Sequence, residues 1–448
     1  MGKIRKFLSS EIYSVILFIA ACIVIFTGKE VLGTMLFAVV ISATMALTDD
    51  LIPPLQGVLF TTCFAIRCKL SYDEFFGYWY FAIPIVIFFV LHFILYPCRL
   101  SKGECFYGIF AAAAVTTLGG IGVITANEYF STTSIFYIIT LGFGVLLVYS
   151  YMCSALKMRD EYDFSEKFSR VMASIIPMLC VCLIQEYISR FDEFIKVMSV
   201  IPFQWRNNAS TLLMLAMPFA FYLSAKRFGW FFMGILSYIA IIFSGSRGGM
   251  IFGLLELIIC IVTMIIIDKR HRKPIIIVVL SSVFLLFITR RYLFDLIRYT
   301  VDRMLDPSEN AIRLKLIPRG IEDFKSNPLF GRGLGYMGNR DIHHSAKFTL
   351  CWYHCSLIQI IGSFGIAGIL GYGFLLFTRI KVFIKNISFF NIMIFISYIG
   401  IEMMSFVNPG VFVPFPYLFL VTIFFVIIEK CNSQKDKEAL LLLRSGKI

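Results

Sequence analysis

The stretch FFGYWYFAIPIVIFFVLHFILY, Phe75 to Tyr96, runs without one Asp, Glu, Lys or Arg. A helix needs about 20 mostly apolar residues to cross the hydrocarbon of a bilayer. Ile12–Thr27, Phe228–Phe243 and Pro274–Ile288 are runs of the same kind. In hydrocarbon the backbone must bond to itself, which makes such runs helices. The period-two alternation of a membrane barrel is absent from them.

Composition agrees. Of 448 residues, 59% are hydrophobic and 15% charged, against about 25% charged in a soluble domain. The mean hydropathy is +0.83. The net charge of +13 would suggest nucleic acid in a soluble chain. In a chain of apolar spans, Lys and Arg mark cytoplasmic loops, and no nucleic-acid partner is expected. The 12 Cys form no CxxC pair and have no ligand spacing with His, so neither disulfides nor zinc are read from them. Met1–Lys6 is basic and precedes an apolar run without a small-residue cleavage site, and is read as the approach to the first span.

Spans are expected near 12–27, 31–47, 52–66, 75–96, 105–125, 133–155, 170–188, 209–225, 228–244, 249–267, 274–289, 352–378, 388–406 and 411–428. The fold class is therefore all-α and polytopic, with about 12–14 transmembrane helices. The weakest is 52–66, short and opening on Pro53-Pro54. Parity keeps it. With the N-terminus inside, the inner loops are Arg99–Glu104, Lys157–Arg170, Lys226-Arg227, Asp268–Lys273, Arg379–Lys385 and the tail from Lys430, and each carries Lys or Arg. Without 52–66 the basic N-terminus would fall outside, against the positive-inside rule. The scheme leaves one large extracytoplasmic loop, Arg290–Leu350, with 11 Lys and Arg against 7 Asp and Glu. The rule is weak for loops of about 60 residues, and so many outer cations suit an anionic substrate. No internal repeat or linker is evident. Residues 1–448 read as a single membrane domain.

Four segments carry possible chemistry. Ser244-Gly245-Ser246-Arg247-Gly248-Gly249 sits at the outer end of a span. Its glycines allow close approach of a ligand, and the guanidinium fork suits phosphate; a snorkelling arginine is the plainer account. Ser308–Arg313 opens like a helix, with Ser308 as N-cap and Pro318-Arg319-Gly320 disturbing the helix after Arg313. Asn327-Pro328-Leu329-Phe330-Gly331-Arg332-Gly333-Leu334-Gly335 is glycine-rich, but follows no strand and opens no βαβ unit. A tight external turn fits it better than a nucleotide loop. Tyr353-His354-Cys355-Ser356 opens the next span on the same side as Arg247 and Arg313, where an imidazole titrating near ~6.5 suits a general base. His343-His344 has no spaced carboxylate partner and reads as loop. Asp49-Asp50 and Asp160–Glu166 fall inside, so no metal-binding DxD faces outward.

In order, these segments resemble the bacterial O-antigen ligase and O-antigen polymerase family of surface-polysaccharide enzymes. The resemblance covers roughly residues 200–376, with loop 290–350 inside it. It runs from Asn207-Asn208-Ala209 through SGSRGG at Ser244–Gly249 and Arg313 to NPLFGRGLG at Asn327–Gly335. It closes on HCSLIQIIGSFGIAG at His354–Gly368. Three departures stand out. Cys355 replaces the usual Asn, Ser363 a common acidic residue, and Pro318 follows Arg313.

The resemblance implies a membrane-helical (GT-C-like) glycosyltransferase, inverting and independent of metal or other cofactor. Its active site would lie outside the bacterial inner membrane. The donor would be a glycan on undecaprenyl pyrophosphate, and the acceptor a second lipid-linked glycan for a polymerase, or a lipid core or protein for a ligase. A flippase, a chain-length regulator and membrane lipids would be partners. His354 would be the catalytic base. Arg247 and Arg313 would hold the pyrophosphate, with Arg206, Asn208 and Arg332 as further substrate contacts. The chemistry suits these residue types independently: a pyrophosphate leaving group without a metal needs arginines. A transporter or flippase is the rival reading. It would place ionisable groups near mid-membrane, where Glu256, Glu402 and His92 are the exceptions to the outer-end pattern.

The orientation predicts that a cysteine introduced at Ser308, in a background without reactive native thiols, labels with an impermeant reagent in intact cells. Labelling only after the membrane is broken would overturn the topology.

Overall fold

In the computed structural model the described residues are 2–67, 72–119, 138–158, 162–192, 203, 205–288, 290, 307–334, 353–408, 412 and 417–444. The protein is an all-α polytopic membrane protein, 83% helical and without strands among these residues. Glu30–Leu47, Phe164–Ser189, Arg247–Ile267 and Ser356–Lys385 are long and apolar enough to cross a bilayer, and shorter apolar helices such as Glu11–Thr27 and Gly229–Phe243 accompany them. The questioned segment forms a helix, Ile52–Arg67, with Pro53 and Pro54 in its first turn, where a missing N–H disrupts nothing. The polar segment after Lys157 differs from expectation. Asp163 caps a helix that already begins at Phe164 and reads on through Ser189.

The chain folds into two compact units. The first comprises Met1–Arg99, Ala155–Val278 and Ile392–Gly400. Its centre is the helix Arg206–Ser224, buried almost throughout from Ala209 to Ser224. Around it pack Gly229–Phe243, Phe164–Ala173, Arg247–Ile267, Ile175–Ser189 and Ile52–Arg67. Polar side chains in this core satisfy themselves on backbone, as Ser237 donates to the Leu213 carbonyl at 2.9 Å and Ser397 to that of Leu215 at 2.8 Å.

Opposite ends of this unit carry separate ionic clusters. At one end Asp49 meets Arg5 at 2.5 Å and Lys157 at 2.9 Å, and Asp50 accepts from Lys167 and Tyr162, each at 3.0 Å. Lys226 joins Asp163 at 2.5 Å and Glu166 at 2.7 Å in the same belt. These are four of the segments assigned to the inner side by sequence, gathered onto one end. At the other end buried Arg67 pairs with Glu30, with Glu186 at 2.8 Å and with the Ile25 carbonyl at 2.9 Å. It ties together the ends of four helices.

The second unit comprises Leu100–Ser154, Val279–Asn391 and Ile401–Ile448. Ser356–Lys385 packs along Phe106–Gly119 through small residues: a Cβ at Gly108 would stand 2.2 Å from the Thr378 hydroxyl, and one at Gly371 2.9 Å from Val115. Such close backbone approach is how helices associate where lipid is as apolar as their side chains. One end is held by polar groups. Lys385 bonds Glu104 at 2.5 Å, and Glu429 accepts from Tyr149 at 2.7 Å and from the Cys105 N–H at 2.9 Å.

Partial burial would raise the Asp49 and Asp163 carboxyls, but hydrogen bonds from Lys157 and Arg5, and from Lys226, outweigh it and hold both below the ordinary range. A depressed carboxylate contributes stability above its unfolded pKa of about 4 and loses it as pH falls through the folded value. Unfolding of the detergent-solubilised protein, followed from pH 7 downward, should show destabilisation beginning only below about pH 4. Asp49→Asn should flatten that acid limb.

Candidate functional site

In the first unit the SGSRGG element is a helix-to-helix turn. Ser244 closes the helix Gly229–Phe243, with its hydroxyl on the Ile241 carbonyl at 2.7 Å. Gly245 takes φ 70°, open to glycine at no steric cost. Ser246 then caps the helix Arg247–Ile267, accepting from the Gly249 N–H at 3.1 Å. The Ser246 hydroxyl also donates to Asn207 Oδ1 at 2.8 Å. Asn207 lies in the first turn of Arg206–Ser224. A Cβ at Gly249 would meet Ser210 Cβ at 2.5 Å, so the two helices touch at their starts. Their N-termini therefore stand side by side, each the positive end of a helix dipole. Arg206 and Arg247 are their first residues and Asn208 lies within the first turn; all three are half-buried. Three of the predicted substrate residues thus come together at one anion-favouring corner. It lies at the end of the unit away from the Asp49 cluster. Tyr187, one residue beyond Glu186, donates to the Phe243 carbonyl at 2.9 Å just before the turn.

Beside that turn an apolar groove of about 430 Å³ runs between Ile175–Ser189 and Gly229–Phe243, lined by Leu183, Tyr187, Leu236, Ile239 and Phe243.

In the second unit residues 327–334 of the NPLFGRGLG element form a tight turn, as expected, and its partner is a break in a helix. Ser356–Lys385 is interrupted at Gly365, with φ 60° and ψ −148°, a region only glycine enters freely. The break frees backbone groups, and the turn takes them up. Arg332 N–H donates to the Gly362 carbonyl and Gly333 N–H to that of Ser363, both at 2.9 Å. In return Ile366 N–H donates to the Pro328 carbonyl at 2.8 Å and Ala367 N–H to that of Leu329 at 3.1 Å. Gly331, at φ 64°, comes so close that a Cβ there would lie 2.4 Å from the Ser363 carbonyl carbon. Leu334 then anchors the turn in a cluster with Phe364, Phe412 and Leu141. Two glycine-rich motifs that read separately in sequence are one structure. Arg332 is half-buried in it.

His354 lies just before the broken helix. Its φ of 53° makes it the sole non-glycine residue with positive φ among the described residues. Such a backbone is held only where surroundings over-determine it, and these places cluster at functional sites. Tyr353 before it is buried, its N–H donating to Gln359 Oε1 at 3.1 Å. Gln359 Nε2 in turn donates to Ser363 Oγ at 2.8 Å. Ser363 thus ends a hydrogen-bonded chain that begins at the Tyr353 N–H. Cys355 occupies the N-cap and gives no side-chain cap; the Ser356 N–H goes instead to the Ser405 carbonyl at 2.9 Å.

One expectation is corrected. Pro318 does not interrupt its helix, which runs from Pro307 to Ser326 with Pro318 inside. Ser308 correspondingly sits within the first turn instead of capping it. The face holding Leu316, Gly320 and Asp323 is buried, and Pro318 points outward where its missing N–H bond is tolerated. Arg313 is in this helix, its side chain outside the described residues, as are His343 and His344. Sequence reasoning quoted Asn207, Tyr353 and Gln359 only as parts of motifs and gave them no role. The adjacency of Tyr353 to His354 and of Asn207 to Asn208 was the available signal.

The ionisable residues of the apolar segments make these contacts within their own units. His92 contacts the Met45 carbonyl at 2.7 Å, and Glu256 is fully buried against Gly400, both in the first unit. Glu402 stands 3.9 Å from Arg379 in the second.

Residues 231–373 match the model of the family described as O-antigen ligase. The match takes in the SGSRGG turn, the docked turn and the His354 segment, and supports the O-antigen ligase and polymerase resemblance. Among curated proteins nothing matches.

The Gly365 geometry makes a side chain there doubly unfavourable. Gly365→Ala would set a Cβ 2.4 Å from the Pro328 carbonyl oxygen in a conformation costing about 1–3 kcal/mol. The purified variant should unfold at clearly lower temperature than Gly373→Ala, where no atom stands within 4 Å.

Proposed function

We propose that this protein polymerises undecaprenyl-pyrophosphate-linked repeat units on the outer face of the bacterial cytoplasmic membrane, building a surface polysaccharide. The coarser statement stands on the family match, which supports a surface-polysaccharide role of ligase or polymerase type. The observation that carries the proposal further is the turn at His354. A histidine is held at φ 53° at the mouth of a broken helix, and that break is completed by the NPLFGRGLG loop, which lies within the same family match.

The chemistry assigned is an inverting transfer. The imidazole of His354 takes the proton of the acceptor hydroxyl as its oxygen attacks the anomeric carbon of the donor glycan. The bond from that carbon to the pyrophosphate oxygen breaks, and the electron pair leaves with the lipid pyrophosphate. Negative charge grows on that oxygen and needs fixed positive groups. Arg247 is the assigned ligand for it, helped by Arg206, Asn208 and the paired helix ends of the first unit. Arg313 is assigned to the pyrophosphate as the resemblance implies, and Arg332 as a further substrate contact. The groove ending at Phe243 suits the polyprenyl chain of a lipid whose headgroup lies at the SGSRGG turn. A flippase supplying the donor and a chain-length regulator are the expected partners.

The ligase reading remains the second, favoured by the description of the matched family. It differs only in acceptor. Purified protein given a defined lipid-linked repeat unit alone should make longer glycans on the same lipid. Product only on addition of a lipid core or protein acceptor would decide for the ligase.

His354→Ala should abolish transfer while leaving insertion and donor binding intact. Since the base must be neutral, parent activity should fall as pH drops through the imidazole range. Arg247→Lys should also impair turnover, because an ammonium cannot reproduce the bidentate fork. Chelators should leave the rate unchanged. Near-parent elongation by His354→Ala would remove it as the base, and strict divalent-metal dependence would require another mechanism.

A further inference from the structure

We propose that Tyr353 and Asp323 are positioning residues for His354: the phenol, slotted between two glycines and anchored on the Asp323 carboxyl group, fixes the turn that presents the imidazole. The inference rests on the reading of His354 as the base.

The Tyr353 ring has 2% of its surface exposed. It fills a slot that two helices leave open by lacking side chains. A Cβ at Gly320 would lie 3.2 Å from the ring's Cδ1, and one at Gly362 2.9 Å from its Cε2. At the far end of the slot the phenol donates to Asp323 Oδ2 at 2.6 Å. Asp323 is itself 4% exposed, on the buried face of Pro307–Ser326. Tyr353 is therefore fixed at both ends, its hydroxyl on Asp323 of Pro307–Ser326 and its N–H on Gln359. The next residue is His354. A left-handed backbone is unfavourable for a non-glycine residue. An anchor one residue away is the device that can hold it there.

The surroundings of Asp323 fit an anchor better than a second base. Burial pushes its carboxyl above the ordinary value, while the Tyr353 hydroxyl, Arg319 and Arg332 pull it back and Glu322 adds to the rise. Arg319 stands 3.9 Å away on the same helix. Neutral or ionised, the group still offers an acceptor oxygen to the phenol. The arrangement also makes Pro307–Ser326, which carries Arg313, one piece with the turn bearing His354.

The test uses full-length protein in nanodiscs with a defined lipid-linked repeat unit. Tyr353→Phe keeps the ring and loses the anchor. It should lower kcat by roughly 10–100-fold, the scale of a misplaced catalytic group, with KM for the donor little changed. Asp323→Ala should match it, and the double variant should be no worse than either single. Asp323→Asn, which keeps an acceptor oxygen, should retain most of the activity. The acid limb of the pH profile should move in Tyr353→Phe and Asp323→Ala, since the imidazole is displaced; packing loss alone would leave it in place. Tyr353→Phe at parent kcat, or additive losses in the double variant, overturns the inference while an inactive His354→Ala still upholds the base. A His354→Ala protein at parent rate overturns the base itself. Should Tyr353→Phe fail to insert, equal activities of Asp323→Asn and Asp323→Ala would overturn the anchor.

Discussion

A backbone amide out of reach of water must find its partner in protein, and the break at Gly365 shows how far a chain goes to obey this. Opening a helix in an apolar environment strands carbonyls and N–H groups, each at a penalty of several kcal/mol. Here the freed groups of Gly362, Ser363, Ile366 and Ala367 are met one for one by Pro328, Leu329, Arg332 and Gly333. The rest of the second unit's candidate site hangs on that exchange. It brings Arg332 to the broken helix, seats Leu334 in the core beside Phe364, and leaves the short piece beginning at Ser356 free to start from an unusual turn. The glycines of both motifs serve close approach and dihedral angle.

The first unit solves a different problem with ordinary means. Most of its ion pairs lie at two ends; between them hydroxyls return to backbone carbonyls, and Glu256 and His92 are buried. Arg67 shows what a buried charge requires in such a place: two carboxylates and a carbonyl around one guanidinium. Arg206 and Arg247 instead begin their helices, at ends whose dipoles already favour an anion.

Much of the fold was legible because hydrophobic runs in lipid admit one local structure. Ile52–Arg67 could be kept by charge parity although its prolines argued against it, and its helix tolerates them in the first turn. The extension of the next polar stretch into a helix from Phe164 was not legible, since only the Asp163 cap announces it. For the site, residue types with strong chemistry were readable: Arg247, His354, the glycines. Their supports were not, because Asn207, Tyr353, Gln359 and Asp323 are common residues whose meaning lies in contacts between distant segments. Pro318 misled for the same reason. A proline stops an isolated helix, yet on the outer face of a packed one the lost bond matters little.

The order of the docked segments along the chain also bears on how the protein is made. The turn from Asn327 is synthesised before the helix that breaks at Gly365. A nascent helix with a gap in its hydrogen bonding is a poor substrate for lateral release into lipid, since insertion favours continuous apolar segments. Here the complementary strip of backbone has already emerged when the break arrives, so the defect can be mended as soon as it is exposed. Were the two segments reversed in sequence, the broken helix would have to wait unsatisfied for its partner during biogenesis.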